Sequence, residues 1–153
     1  MHEPGFNYRI TDFQCALGIS QLKKLDSFVA RRRLIADYYN TILGKDTRFI
    51  IPAISQDAKH AYHLYPLRID FEKLGISKRD YFARMEAKGI RCQVHYVPIH
   101  LQPFYRKNYR FKAGDFPVAE KFYEQEISIP MYPSLEENDL KYITTSIIES
   151  LES

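Results

Sequence analysis

The chain has no tryptophan, two cysteines and six glycines in 153 residues, and no long apolar run. Each shortage closes off a class of protein. Cys15 and Cys92 lie far apart and form no CxxC pair, so neither a disulfide framework nor a redox or metal motif of that kind is available, and both read as reduced, small core residues. The glycines fall in no GxGxxG or GxxxxGK pattern and there is no GxSxG. That removes the usual phosphate cradles and leaves nucleophilic hydrolysis by this chain alone without support. No stretch approaches the roughly 18 consecutive apolar residues of a membrane span, and Met1-His2-Glu3-Pro4-Gly5 lacks the basic-then-apolar build of a signal peptide. A soluble, cytoplasmic protein without membrane partners is the expectation. Lys and Arg total 22 against 19 Asp and Glu, a net +3 spread along the chain. Charge therefore makes no strong case for nucleic acid or anionic lipid.

What is present is a 45% hydrophobic chain with 12 Tyr and 10 Phe. Its length suits one compact domain that buries roughly 68–70% of its unfolded surface without a metal or disulfide staple. It is short for a two-domain cofactor enzyme. The aromatic load serves equally well as core or as a sugar- and ring-binding surface.

Local signals divide the chain. Thr11-Asp12-Phe13-Gln14 has the spacing of a capping box and predicts a helix start. Asp26 offers a second N-cap, with a helix over 27–43 carrying Phe28, Ile35, Tyr38, Tyr39 and Ile42, and Gly44 as a left-handed stop. The period then changes. Residues 48–51 and 61–70 read as strands, the second at an edge or bulged at Pro66, which has no N–H to donate. Ser77 opens a helix that Lys88-Gly89 closes, and residues 90–96 read as a strand. Residues 95–105, bracketed by Pro98 and Pro103, form a loop rich in polar-tipped rings, where function tends to sit. Pro117 starts another helix, 127–131 reads as a strand, and Ser134-Leu135-Glu136-Glu137 is a second capping box. The last helix carries Leu140, Ile143, Ile147, Ile148 and Leu151 on one stripe. An α+β domain results, a small sheet covered by helices on one side and preceded by a helical segment.

Four of the five histidines fall in two pairs, His60 with His63 and His95 with His100. Zinc is disfavoured, because His60 and His63, three apart, point to opposite faces of a strand unless His60 precedes it, and no close cysteine or carboxylate completes either pair. Arg31-Arg32-Arg33, with nearby tyrosines, permits a single-strand nucleic-acid site. On a helix the three point in three directions, so a solvated surface is the blander account. Arg106 to Lys112 could bind phosphate or keep a loop in water.

Three segments carry a further signal. Residues 5–25, GFNYRITDFQCALGISQLKKL, resemble the GxNxR…ALG…QL signature of the DegT/DnrJ/EryC1/StrS sugar aminotransferases. Residues 93–100, QVHYVPIH, resemble that family's VHYxPxH segment, and ISIPMYP at 127–133 is similar to its SLPMYP stretch. The likeness runs over nearly the whole chain. It implies the small C-terminal domain of a fold-type-I, pyridoxal 5'-phosphate-dependent transferase, with linker helices and the GxNxR segment in 1–44 and the small α+β domain in 45–153. The complete enzyme, a homodimer, would move an amino group from a donor to a 4-keto nucleotide sugar for surface polysaccharide or pseudaminic acid. The family's Schiff-base lysine sits in a larger N-terminal domain, and no lysine here has its context. No catalytic residue is assigned, and the chain alone is expected to be inactive.

By the same resemblance, Asn7 matches an asparagine that reaches the partner subunit's cofactor phosphate, and an amide donor suits that contact. Its alternative is a turn residue at a helix start. His95 and Tyr96 match residues that approach the hexose, their alternative being strand-end packing. Arg9 matches a part of the motif that either contacts ligand or holds the loop. His100 and Tyr105 are weaker candidates for the nucleotide side. The competing function is a stand-alone nucleic-acid- or protein-binding domain without catalysis, using Arg31 to Arg33 or the ring-rich loop. Faces of the opening helices built to meet a large domain and a second subunit are expected to be exposed.

Overall fold

In the computed structural model of the chain, residue 6 and residues 8–152 are described. The opening helix α1, Asp12–Leu22, starts where the capping box predicts: the Thr11 hydroxyl oxygen accepts the Gln14 N–H at 3.3 Å, and the Gln14 side chain accepts the Thr11 N–H at 2.9 Å. Helix α2, Leu25–Leu43, starts two residues earlier than the Asp26 cap implies. Lys24 takes the N-cap position in a right-handed conformation and gives it no side-chain bond. Gly44 does end α2, but with φ −68°, so left-handed backbone is not the reason for glycine. Crowding is: a Cβ there would lie 2.5 Å from the Asn40 carbonyl oxygen.

Three short strands form an antiparallel sheet in the order β1, Phe49–Ile50; β2, Tyr65–Ile69; β3, Glu126–Ile129. β2 is central, yet Pro66 is tolerated because β1 pairs only with Arg68 and Ile69. At Pro66 the strand has a neighbour on the β3 side alone, through Ser128, and is locally an edge. Tyr62 has φ 48°, which breaks the extended run that residues 61–64 suggested. Residues 90–96 are not a strand either. Among the described residues, their backbone pairs with the sheet at one isolated bridge, Gln93 with Ser128.

The connections hold more helix than the sequence advertises. Asp70 caps the one-turn α3, Phe71–Leu74, and Ser77 caps α4, Lys78–Ala87, as predicted. The ring-rich loop contains a 3₁₀ turn, Ile99–Leu101, and α5, Pro103–Tyr109, with Pro103 in its first turn. Pro117 opens α6, Pro117–Gln125. The last helix α7, Glu137–Glu149, is capped by Glu136 and Asp139 rather than from Ser134. Its predicted stripe is buried at Leu140, Ile143 and Ile147, with Leu151 just beyond the helix end. Full burial of each such side chain stabilises the fold by roughly 1.5–3 kcal/mol.

Alternation divides the sheet. Tyr65, Leu67 and Ile69 face a core shared with Ile127, Ile129, Tyr39 of α2, Tyr81 and Met85 of α4, and Ile147 of α7. Tyr39 meets Tyr65 edge-on at 5.1 Å, and the Tyr65 hydroxyl donates to Asn40 Oδ1 at 2.6 Å. Burial pushes the Tyr39, Tyr65 and Tyr81 hydroxyls well above their ordinary pKa. The opposite face is not bare: Arg68 lies 5.9 Å from the Phe122 ring of α6, and Glu126 and Ser128 are buried there.

Arg31, Arg32 and Arg33 are each half-buried, and each is engaged with backbone carbonyls. The Arg31 guanidinium donates to the Leu135 carbonyl, Arg32 Nη1 to the carbonyls of Met131 at 2.6 Å, Tyr62 at 3.0 Å and His63 at 3.2 Å, and Arg33 Nε to that of His60 at 3.0 Å. These carbonyls belong to irregular segments with no ladder to satisfy them. Among the described residues, no helix is long and apolar enough to cross a membrane. Helix α1 buries none of its residues, and Phe13 and Leu17 are 81% and 54% exposed.

Arg32→Ala strands three carbonyls and is expected to lower stability by about 2–3 kcal/mol in urea unfolding. The exposed Arg79→Ala is expected to stay within about 0.5 kcal/mol. The uncovered α1 face predicts that the isolated chain self-associates, and that Phe13→Glu with Leu17→Glu restores a monomer. Size-exclusion chromatography checks this, and a monomeric wild-type chain counts against it.

Candidate functional site

Beside the sheet lies an open cleft of about 560 Å³ whose lining includes His63, Gln93, His95, Ser128, Met131 and Leu135. Its wall is held by the arginines of α2, since the carbonyls of His63, Met131 and Leu135 are among those that Arg31 and Arg32 bind. His95 is half-buried at the lip. Its position comes from β3. The His95 N–H donates to Glu126 Oε2 at 2.9 Å, His95 Nδ1 is 2.8 Å from Ser128 Oγ, and the Ser128 hydroxyl donates to Glu126 Oε1 at 2.6 Å. Glu126 is fully buried and Ser128 nearly so.

Neither Glu126 nor Ser128 was singled out in the sequence. The available signal was their i, i+2 spacing in Glu126-Ile127-Ser128-Ile129: two polar side chains on one face of a strand whose other face is isoleucine. Burying a carboxylate is costly unless each oxygen finds a donor, and here each does.

The other predicted site residues are dispersed. Tyr96 is 74% exposed and stands edge-on to the His95 ring at 4.6 Å. Tyr105 stacks on Tyr109 at 5.8 Å, in the aromatic cluster of α5. Arg9 is exposed, and Asn7 lies outside the described residues. His100 is buried. It is 6% exposed, packs on Phe116, and its Nε2 is 2.8 Å from Glu120 Oε1. Its ring ties the 3₁₀ turn to α6. Glu120 also accepts the backbone N–H groups of Gly114 at 2.8 Å and Phe116 at 3.2 Å. Those bonds, the Gly114 one first and the His100 contact next, hold its carboxyl below the usual range.

Among the described residues, no group of three or more His, Cys, Asp or Glu converges on a metal position. His60 Nδ1 accepts the Tyr62 N–H at 3.0 Å instead.

A model of the DegT/DnrJ/EryC1/StrS aminotransferase family matches residues 1–148. The chain belongs to that family. It is 36% identical over 99% of its length to a Campylobacter jejuni UDP-4-amino-4,6-dideoxy-N-acetyl-beta-L-altrosamine transaminase, and 34% identical over 96% to the Bacillus subtilis spore coat polysaccharide biosynthesis protein SpsC. It spans 40% and 38% of those two proteins. Among solved structures, Helicobacter pylori PseC, an aminotransferase of pseudaminic acid biosynthesis, superposes with TM-score 0.88 and 29% identity over 98% of this chain and 40% of its own. The fold is therefore a part of the fold-type-I transferase architecture.

Aminotransferases of this family use pyridoxal phosphate. Spr1654 from Streptococcus pneumoniae, at 27% identity and covering 99% of this chain and 38% of its own, is solved in both pyridoxal and pyridoxamine phosphate forms. Covalent attachment of that cofactor needs a lysine amine, and no lysine lines the cleft beside His95. Lys78, whose pKa is lowered by burial, donates to the Tyr123 carbonyl at 2.6 Å and lines a separate cleft with Glu120 and Glu124. No chemical step through the cofactor follows from these residues.

The depressed Glu120 carboxyl has a pH consequence. Its folded pKa lies below the unfolded value, so its stabilising contribution is complete above the ordinary glutamate pKa of about 4.3 and is lost as pH falls through the folded pKa. Glu120→Gln is expected to be less stable than wild type at pH 7, with the gap closing as pH falls below about 4; paired urea midpoints across pH measure it.

Proposed function

We propose that this chain is the C-terminal, sugar-facing part of a pyridoxal phosphate-dependent aminotransferase that converts a 4-keto nucleotide sugar to the amino sugar. The observation that supports this reading best is His95 at the cleft lip, held by backbone and ring to buried Glu126 and Ser128. A side chain fixed at that many points suits a ligand whose stereochemistry must be read. Tyr96 beside it offers a ring face and a hydroxyl, a combination suited to a hexose. The relatives named above, one acting on a UDP-linked amino sugar and one in spore coat polysaccharide, point to a nucleotide sugar of surface polysaccharide or pseudaminic acid routes. When bound, the cofactor supplies the amino-group chemistry; the residues here supply binding and orientation.

In this proposal residues 1–44 link to a larger cofactor-bearing domain, with Asn7 reaching the partner subunit's cofactor phosphate in a cytoplasmic homodimer. The exposed apolar side of α1 supports such a link, because large uncovered apolar surfaces mark interaction sites. The nucleic-acid alternative loses its main support, since Arg31, Arg32 and Arg33 are engaged with backbone carbonyls.

The test is complementation. Produced with the cofactor-bearing segment of its relatives, the chain is expected to yield a cofactor-binding complex that aminates a 4-keto nucleotide sugar from glutamate. His95→Ala is expected to lower kcat/KM by about 10–100-fold. A complex that never binds cofactor, together with specific binding of single-stranded nucleic acid by the chain alone, would overturn the assignment.

A further inference from the structure

Resting on the reading of His95 as a sugar-facing side chain, we infer that Glu126 and Ser128 are positioning residues that lock the neutral His95 ring in its Nδ1–H tautomer. Nε2 then offers the ligand a hydrogen-bond acceptor and no donor. The argument is a count of protons. The Ser128 hydroxyl donates to Glu126 Oε1 at 2.6 Å, and that contact uses the serine proton. The serine oxygen has only lone pairs left for His95 Nδ1 at 2.8 Å. That nitrogen must therefore carry the ring proton, and a neutral imidazole has one.

The other end of the relay is equally constrained. Glu126 Oε2 is occupied by the His95 backbone N–H at 2.9 Å, so the carboxylate cannot rotate to release the serine. Glu126 has no exposed surface and Ser128 is 4% exposed, which keeps water from competing for either bond. No partner for Nε2 is found among the described residues, while the ring lines the cleft. A ligand hydroxyl or acetamido N–H satisfies that lone pair; a carbonyl or ring oxygen placed there leaves two acceptors face to face, which costs affinity. The device thus selects for a donor at one point on the sugar.

The tautomer is directly observable. In the full chain labelled with ¹⁵N-histidine, with His95 assigned by His95→Gln, long-range ¹H–¹⁵N correlation is recorded above the ordinary imidazole pKa of about 6.5. Wild type is expected to show a protonated-type shift at Nδ1 and a lone-pair shift at Nε2. Glu126→Gln is close to isosteric. To keep accepting the His95 N–H it must turn its amide NH₂ toward Ser128, whose hydroxyl then donates to Nδ1, so the pattern is expected to invert. Ser128→Ala, for use if the glutamine variant does not fold, removes both bonds and is expected to give a mixture. A wild-type ring protonated at Nε2, or a folded variant with an unchanged pattern, overturns the lock. The underlying reading fails separately. If the Nδ1–H form is seen but His95→Ala in the complete enzyme leaves kcat/KM for the keto sugar unchanged, the sugar-facing role is wrong and the lock survives as structure alone. If both hold, Ser128→Ala is expected to raise KM for the nucleotide sugar about 10-fold with a smaller change in kcat, equivalent to about 1.4 kcal/mol of binding.

Discussion

The irregular half of this domain depends on one charge. The Arg32 guanidinium, projecting from α2, meets carbonyls from two stretches of chain that have no ladder of their own: residues 62–63 before β2 and residue 131 after β3. A guanidinium presents several donors in a fixed plane and stays charged at any working pH. It can therefore do for unpaired loops what a neighbouring strand does for a sheet. Arg31 and Arg33 extend the arrangement to residues 135 and 60. A basic triplet that reads as a polyanion site is instead the frame of the cleft, and α2 sets where the cleft wall stands.

The small sheet then acts as a partition. One side is hydrocarbon and aromatic ring, with Tyr39, Tyr65 and Tyr81 placing their hydroxyls on Pro130, Asn40 and Ile147. The other side carries the polar pair Glu126 and Ser128, tied to His95 in a segment whose backbone pairs with the sheet at Gln93. Strand alternation lets four residues of β3 serve both purposes, core on odd numbers and support for the His95 segment on even ones. Replacing the loop 90–96 by a regular strand would have turned the His95 backbone N–H into a ladder donor, and Glu126 would have lost its partner.

Features carried by a few adjacent residues were legible beforehand. The Thr11 box, the Ser77 cap, Pro117 at a helix start and the α7 stripe each rest on interactions within one or two turns, and His95 and Tyr96 were marked by their resemblance to a family segment. What escaped depends on long-range geometry. The roles of Arg31 to Arg33 require residues about 30 and 100 positions away, and residues 90–96 have strand composition but only a single pairing position. The cap of α7 slipped from Ser134 to Glu136 because Asp139 supplies an equivalent return bond two residues later. The contact of His100 with Glu120 escaped for the same reason, since nothing local announces a partner twenty residues on.

Helix α1 is eleven residues long, capped well at its start, and buries no side chain. Helices of that length are marginal in water when only local bonds hold them. Its apolar residues contribute nothing to holding it against the rest of the domain. The order of this segment is therefore a property of whatever it rests against. Hydrogen exchange along residues 12–22 would follow the docking of α1 on a neighbour while the sheet and α7 stayed protected throughout, which makes the helix a gauge of assembly rather than of folding.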